Sequence, residues 1–269
     1  MIARWSAASA DADAHMAEAI LVDLAPVVAR HPWWVARARL TLDLLARLGV
    51  DPPGRVVDVG TGWGTTLAAL EARGYAAAGA DVSRRALDRL DRDRPGRALA
   101  EFDLAAEPAL PPDFAPFDAA LALDVIEHVD DDRAAVARIG RLVRPGGVVV
   151  VSVPALPDLF GEFDRVQGHR RRYLPATLAA AFDGSGLVVD RVAWWGSWLV
   201  PLLRRARGRD RPRSRSGDTP EQTYARHLRL PPWPAPLLFR AAFALEHRRA
   251  LAGRLTGGTS LFAVARKPG

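Results

Sequence analysis

Residues 56–64 read Val-Val-Asp-Val-Gly-Thr-Gly-Trp-Gly. A short apolar run with an acid inside it leads into three glycines at alternate positions. The run has the pattern of a buried parallel strand. Side chains are stripped away where the strand ends, so a ligand can lie directly on the backbone. Gly60 and Gly62 allow a tight turn, and Gly64 opens the helix that follows. Asp58 and the loop amides face whatever binds there, which makes a nucleoside cofactor the leading expectation.

Outward from this stretch, strand and helix alternate. The pattern predicts strand 55–60, helix 65–73, strand 75–80, helix 84–91, strands 97–102 and 117–123, helix 131–143 and strand 147–153. Arg144-Pro145-Gly146-Gly147 should end the last of these helices. Such alternation means an α/β fold with a doubly wound parallel sheet and right-handed crossovers. Before it, residues 12–50 read as two helices separated by His31-Pro32-Trp33-Trp34. After it come a helix at 175–183 and strand 187–194. An insertion at roughly 196–257 follows, rich in Pro, Arg and Trp and helical over 236–251. The last strand is 259–265. The expected organisation is an N-terminal helical cap (1–54), a cofactor-binding core (55–195), an insertion with an Arg-rich loop (196–257), and a last core strand with tail (258–269).

The 269 residues suffice for a full core. Without cysteine, disulfides and thiolate metal sites are excluded, and a cytoplasmic setting fits. Met1 to Met16 lacks the apolar run of a signal peptide. The longest apolar stretch, Val192 to Leu203, is too short and interrupted to span a membrane. The formal charge is +6, carried almost wholly by arginine, since Lys267 is the one lysine. Coding bias and an anionic partner both account for it. The excess concentrates in Arg204 to Arg215, which reads as a loop without interleaved aromatics, so no nucleic-acid partner is expected.

In open α/β sheets ligands sit at the carboxyl ends of the strands. The second strand ends in Asp81, which can accept both ribose hydroxyls. The third ends near Asp103, placed to accept an adenine amine. The fourth ends in Asp124-Val125-Ile126-Glu127-His128. A dinucleotide site would need Gly-x-Gly-x-x-Gly, but position 65 is Thr.

These motifs in this order, from Val56 to Val153, resemble the class I S-adenosylmethionine-dependent methyltransferases. His169-Arg170-Arg171-Arg172-Tyr173 and Gly258-Thr259-Ser260-Leu261 extend the likeness to a small-molecule subgroup of the type 11 and type 23 kind. The resemblance implies a Rossmann-like sheet of seven strands, the last antiparallel. It implies S-adenosylmethionine as cofactor and no metal. Asp58, Gly60, Thr61 and Gly62 would hold the methionine end, Asp81 and Val82 the ribose and the adenine face, Asp103 and Leu104 the adenine. Asp124 would lie beneath the sulfonium. Trp63 departs from the usual small residue and would either narrow the cofactor mouth or pack outward.

Methyl transfer needs an acceptor held in line, water excluded, and a proton removed where the nucleophile is neutral. His128 is the candidate base, and its alternative role is to support the loop. His169 and Tyr173 are further catalytic candidates, expected with Arg171 and Arg172 in a loop roofing the pocket. The arginines would bind an anionic substrate or form an internal cluster with Glu162 and Asp164. Trp33 and Trp34 would cap the pocket or pack in the core. Trp194, Trp195 and Trp198, with the leucines and arginines after them, allow two readings of residues 194–251. One is peripheral membrane contact; the other is a substrate cap or a homodimer surface. The expectation is methylation of a small molecule at oxygen, the substrate lipid-linked or anionic. The alternative is a cofactor-binding protein with a non-methylating or regulatory role.

Overall fold

The computed structural model describes residues 2–6, 20, 23–111, 114–207, 217–229 and 233–269. Valines and alanines alternate between the two sheet faces and so build two cores. Val57, Val59, Val149, Val151 and Val153 enter one, and Val56, Val148 and Val150 enter the other. This is the period-two rule of a strand buried on both sides.

The central strands are β2 (Arg55–Val59), β3 (Ala76–Asp81), β4 (Ala98–Glu101), β5 (Phe117–Leu123) and β6 (Val143–Pro154), all parallel. After β6 come β7 (Val188–Trp195) and β8 (Ser260–Arg266). β8 inserts between β6 and β7 and runs antiparallel to both. The expected doubly wound sheet with one reversed strand is therefore present. It has eight strands rather than seven, in the order β1-β4-β3-β2-β5-β6-β8-β7. The extra strand is β1 (Ala3–Arg4), parallel to β4 at the edge. Two residues carry no period to read. Trp5 anchors them, packing edge-on against Phe102 and Phe114 with centroids 6.2 and 5.5 Å away.

The N-terminal segment is thus not helical throughout. Of the predicted 12–50 span, residues 12–19, 21 and 22 lie outside the described residues. The helices seen are α1 (Ala25–Val28) and α2 (Pro32–Arg47). His31-Pro32-Trp33-Trp34 is the start of α2 rather than a break of its own. His31 caps the helix, its Nδ1 accepting from Trp33 N at 3.2 Å, and Pro32 takes the first position. Burial pushes the His31 imidazole down to about 4, which keeps that nitrogen an acceptor.

The crossover helices are α3 (Thr65–Arg73), α4 (Arg84–Asp93) and α5 (Asp132–Arg141). Two short helices follow β6, α6 (Glu162–Val166) and α7 (Pro175–Ala180). The insertion holds three helices, α8 (Leu199–Arg207), α9 (Pro220–Leu228) and α10 (Ala235–Leu251). Arg204 to Arg207 are therefore helical, against the loop expected there, and residues 208–216 lie outside the described residues. α9 opens with a reciprocal cap between Thr219 and Gln222. α10 packs on α2, which draws the insertion over the open end of the sheet.

Candidate cofactor and acceptor site

One cavity of about 1490 Å³ lies at the carboxyl ends of β2 to β5. That exceeds the roughly 300–1,000 Å³ of a pocket for one drug-sized ligand. All nine expected cofactor residues line it, together with His128 and His169.

The glycine loop is held by its own backbone. Gly60 N and Thr61 N donate to Ala80 O at 2.8 and 3.0 Å. Gly60 has φ +69°, and a Cβ there would fall 2.4 Å from Val125 Cγ2. Only glycine fits so close to the end of β5. Asp58 is buried below the loop and accepts from Thr61 Oγ1 at 3.1 Å. Burial pushes its carboxyl up to about 7. Asp81 accepts from Gly62 N at 2.7 Å and from Ser83 N at 2.8 Å, one through each oxygen. Those amides aim the carboxylate at the cavity wall. Val82 lines the cavity beside it. Asp103 accepts from Ala105 N at 2.7 Å through Oδ1, and Leu104 follows on the same wall.

At the end of β5, Asp124 adopts the left-handed region, φ +58°, which is uncommon for a residue with a side chain. Ser152 Oγ donates to its Oδ1 at 3.2 Å, and Arg37 of α2 forms an ion pair with its Oδ2. Arg37 also lies 4.6 Å from the Trp33 ring centroid. The sequence reading missed Arg37. Its signal was the i,i+4 spacing from Trp33, which puts both on one helix face. Trp63 joins an aromatic wall, its ring 5.7 Å from Trp34 and 6.1 Å from Tyr224. It therefore packs toward α2 and α9 while still lining the cavity.

Beyond Asp124 the chain turns through a short 3-10 segment, Ile126–His128. His128 lies edge-on to His169 with centroids 4.8 Å apart. His169 Nδ1 lies 3.2 Å from Asp164 Oδ1, which also accepts from Arg172 Nε at 2.7 Å. Burial alone would raise Asp164, but His169 and Arg172 outweigh it and hold the carboxyl at about 2. The arginine run is thus largely internal. Arg172 also donates to Ala155 O, and Arg170 and Arg171 donate to carbonyls of the 128–130 loop. Asp164 belongs to that cluster as expected. Glu162 pairs with His227 of α9, at 3.1 Å.

Tyr173 does not roof the pocket. It is 1% exposed in the core, and its hydroxyl donates to Asp132 Oδ2 at 2.8 Å. Burial and the Asp132 charge push its ionisation far above the usual phenol value. A tyrosine held neutral away from the cavity is no candidate base, which corrects its place on the catalytic list.

Glu127 is fully buried, and neither of its oxygens has a hydrogen-bond partner among the described residues. Burial, with Asp124 nearby, raises its carboxyl well above the ordinary range. The sequence reading expected no metal. The fold nonetheless brings one ligand atom each from Glu127, His128 and His169 within 4.8 Å of one another.

The rest of the cavity wall is mixed, with Asp158, Arg165, Gln167, Arg204 and His227 beside an apolar set. Leu199 and Leu203 of α8 and Phe239 and Phe243 of α10 face it, with Leu159 and Phe163 across from them. Trp195 stacks on Phe243 at 5.1 Å, and Trp198 meets Phe239 edge-on at 4.9 Å. These two tryptophans turn inward, so they form no lipid-facing belt.

A loop in which an added Cβ would strike Val125, two aimed carboxylates on one flank and the Arg37–Asp124 pair on the other fit an adenosine joined to an amino acid. With the hairpin-inserted β8, they define a class I methyltransferase fold. The Methyltransferase domain family matches residues 33–192, and the chain belongs to that family. S-adenosylmethionine is the cofactor this site takes. Among curated relatives, an O-methyltransferase of Pyrenophora dematioidea is 31% identical over 54% of this chain and 57% of its own length. A ubiquinone biosynthesis O-methyltransferase of Alkalilimnicola ehrlichii is 36% identical over 42% and 47%. A trans-aconitate 2-methyltransferase of Azoarcus sp. is 30% identical over 63% and 64%. The chain thus spans about half to two thirds of the relatives it matches. Among solved structures, an S-adenosylmethionine dependent methyltransferase from Mesorhizobium loti superposes with TM-score 0.53 at 19% identity, covering 83% of this chain and 95% of that one. The cyclase SpnF gives TM-score 0.53 at 21% identity, covering 86% and 80%. Both likenesses speak to the fold.

Proposed function

We propose that the protein transfers a methyl group from S-adenosylmethionine to an oxygen of a small acceptor with an apolar portion. The observation that carries this is a single cavity whose wall holds the carboxylates assigned to the cofactor, His128, and leucine and phenylalanine side chains together. In this reading Asp81 and Val82 hold the ribose, and Asp103 and Leu104 the adenine. Asp58, Gly60, Thr61 and Gly62 hold the methionine end, with Arg37 facing its carboxylate and Asp124 below the sulfonium. Bound S-adenosylmethionine supplies an already activated methyl group. The protein's part is to align the acceptor, exclude water and take the hydroxyl proton at a His128 nitrogen. His169, fixed by Asp164, positions the His128 ring by edge contact and is a positioning residue.

In this reading helix α2 and the described helices of the insertion close the site over the 55–195 core, and 258–269 completes the sheet. Among the described residues no helix is long and apolar enough to cross a membrane. We place the enzyme in the cytoplasm, with peripheral lipid contact through part of 194–251 in preference to a homodimer surface.

The test is transfer of labelled methyl to a panel of hydroxylated amphiphiles. His128→Ala should lower kcat about 10²–10⁴-fold with cofactor affinity unchanged. Loss of cofactor affinity in parallel with rate would make His128 a loop support. Tight binding of the demethylated cofactor with no transfer to any acceptor would favour the non-methylating alternative.

A further inference from the structure

Helix α10 is apolar on both sides. One side faces inward through Phe239, Phe243, Ala250 and Leu251, toward the cavity and the core. The other carries Leu237, Leu238 and Leu245, which are 52%, 62% and 81% exposed. Leu238 and Leu245 lie two turns apart, and Ala241 fills the surface between them, so they share one face. Trp233, just before the helix, is 80% exposed. A surface helix ordinarily turns polar residues outward. Leu238 and Leu245 on one outward face, with Leu237 and Trp233 also exposed at the start of the helix, mark a contact site.

The exposed charges of α10 have one sign. Arg240, Arg248 and Arg249 are exposed, and none forms an ion pair among the described residues. The one acid of α10, Glu246, is buried on the opposite side. It accepts from Gly196 N at 2.6 Å and from Ser197 N at 3.0 Å. His247 is turned to Asp43 at 2.8 Å.

We propose that the outward face of α10, with Trp233, docks on an anionic lipid surface. Leucines and an indole at headgroup depth, flanked by arginines, match the chemistry of such a surface. A second copy of the chain fits less well. A two-fold contact through this face would set the same arginines against one another without an acid between them. The inward side of α10 lines the acceptor chamber, and Leu202 of α8 is both cavity-lining and exposed. Docking therefore sets the chamber beside the bilayer, where an acceptor with an apolar tail resides. That purpose rests on the function proposed above, whereas the docking itself is measured without turnover.

The test is co-sedimentation of the full chain with vesicles of phosphatidylcholine and with vesicles of equal parts phosphatidylcholine and phosphatidylglycerol. The protein should pellet with the anionic vesicles and release with salt. Leu238→Asp with Leu245→Asp should weaken that binding about tenfold or more. Arg240→Ser with Arg248→Ser and Arg249→Ser should remove its salt dependence. Both variants should bind S-adenosylhomocysteine as the wild type does, which separates docking from folding and from the cofactor site. Absence of pelleting with anionic vesicles, or equal pelleting of wild type and both variants, overturns the proposal. So does a wild-type dimer in sedimentation velocity that Leu245→Asp dissociates, which would give this face to a second copy.

Discussion

Removing the carboxylate of Asp81 should separate cofactor binding from loop support. In the structure its oxygens accept from Gly62 N at 2.7 Å and Ser83 N at 2.8 Å, and the residue is buried. In the proposed binding mode the carboxylate also accepts the two ribose hydroxyls. Two hydrogen bonds to a charged acceptor contribute about 1.5–3 kcal/mol each. Water entering the vacated space re-solvates the hydroxyls and recovers part of that. Asp81→Ala should therefore cost about 2–3 kcal/mol of binding, about 30–150-fold in Kd for S-adenosylhomocysteine. The two amides left without an acceptor should also lower Tm, since each unsatisfied buried donor costs about 1–3 kcal/mol. Calorimetric titration well below the variant's own Tm keeps the two effects apart. Asp88→Ala is the control, because that half-exposed acid pairs along its own helix with Arg84. Its Kd should match the wild type. A folded Asp81→Ala protein that binds S-adenosylhomocysteine within about threefold of wild type would refute the assignment of the β3 end to the ribose.

Two further outcomes follow from the buried groups. Asp58 sits at about 7 in the folded protein against 3.8 ordinarily, so the native state binds more protons between those values. Stability from this group is therefore lost as pH rises from about 4 to 7. The Tm advantage of Asp58→Asn over wild type, without cofactor, should widen across that window, and a pH-independent difference would count against the burial argument. Tyr173→Phe loses the bond to Asp132 and should destabilise by about 1–3 kcal/mol in denaturant titration while leaving kcat and its pH profile intact. A collapse in kcat would return Tyr173 to the catalytic list.

The core was legible because parallel strands buried on both faces must be apolar runs, and their ends must turn on glycine where a ligand approaches. Helix α3 and strand β5 therefore fall where the pattern puts them. The insertion was less legible. Thr219-Pro220-Glu221-Gln222 carries a capping signature that marks α9, but Pro and Arg around it suggest loop. β1 was invisible, since two residues have no period, and its place depends on Trp5 finding Phe102, Phe114 and Phe117.

Sequence alone determined the α/β sheet, the glycine loop and the three acids at successive strand ends, because each is a local pattern imposed by backbone geometry. Which side chains meet across the cavity was decided by tertiary packing. Arg37 reaches Asp124 across 87 positions of sequence, and His169 reaches His128 only because β6 returns the chain beside β5. The same holds for the aromatics. Trp195 and Trp198 turn inward and Trp233 outward. Composition treats these residues alike, and only the partner surfaces available to each in the folded chain separate them.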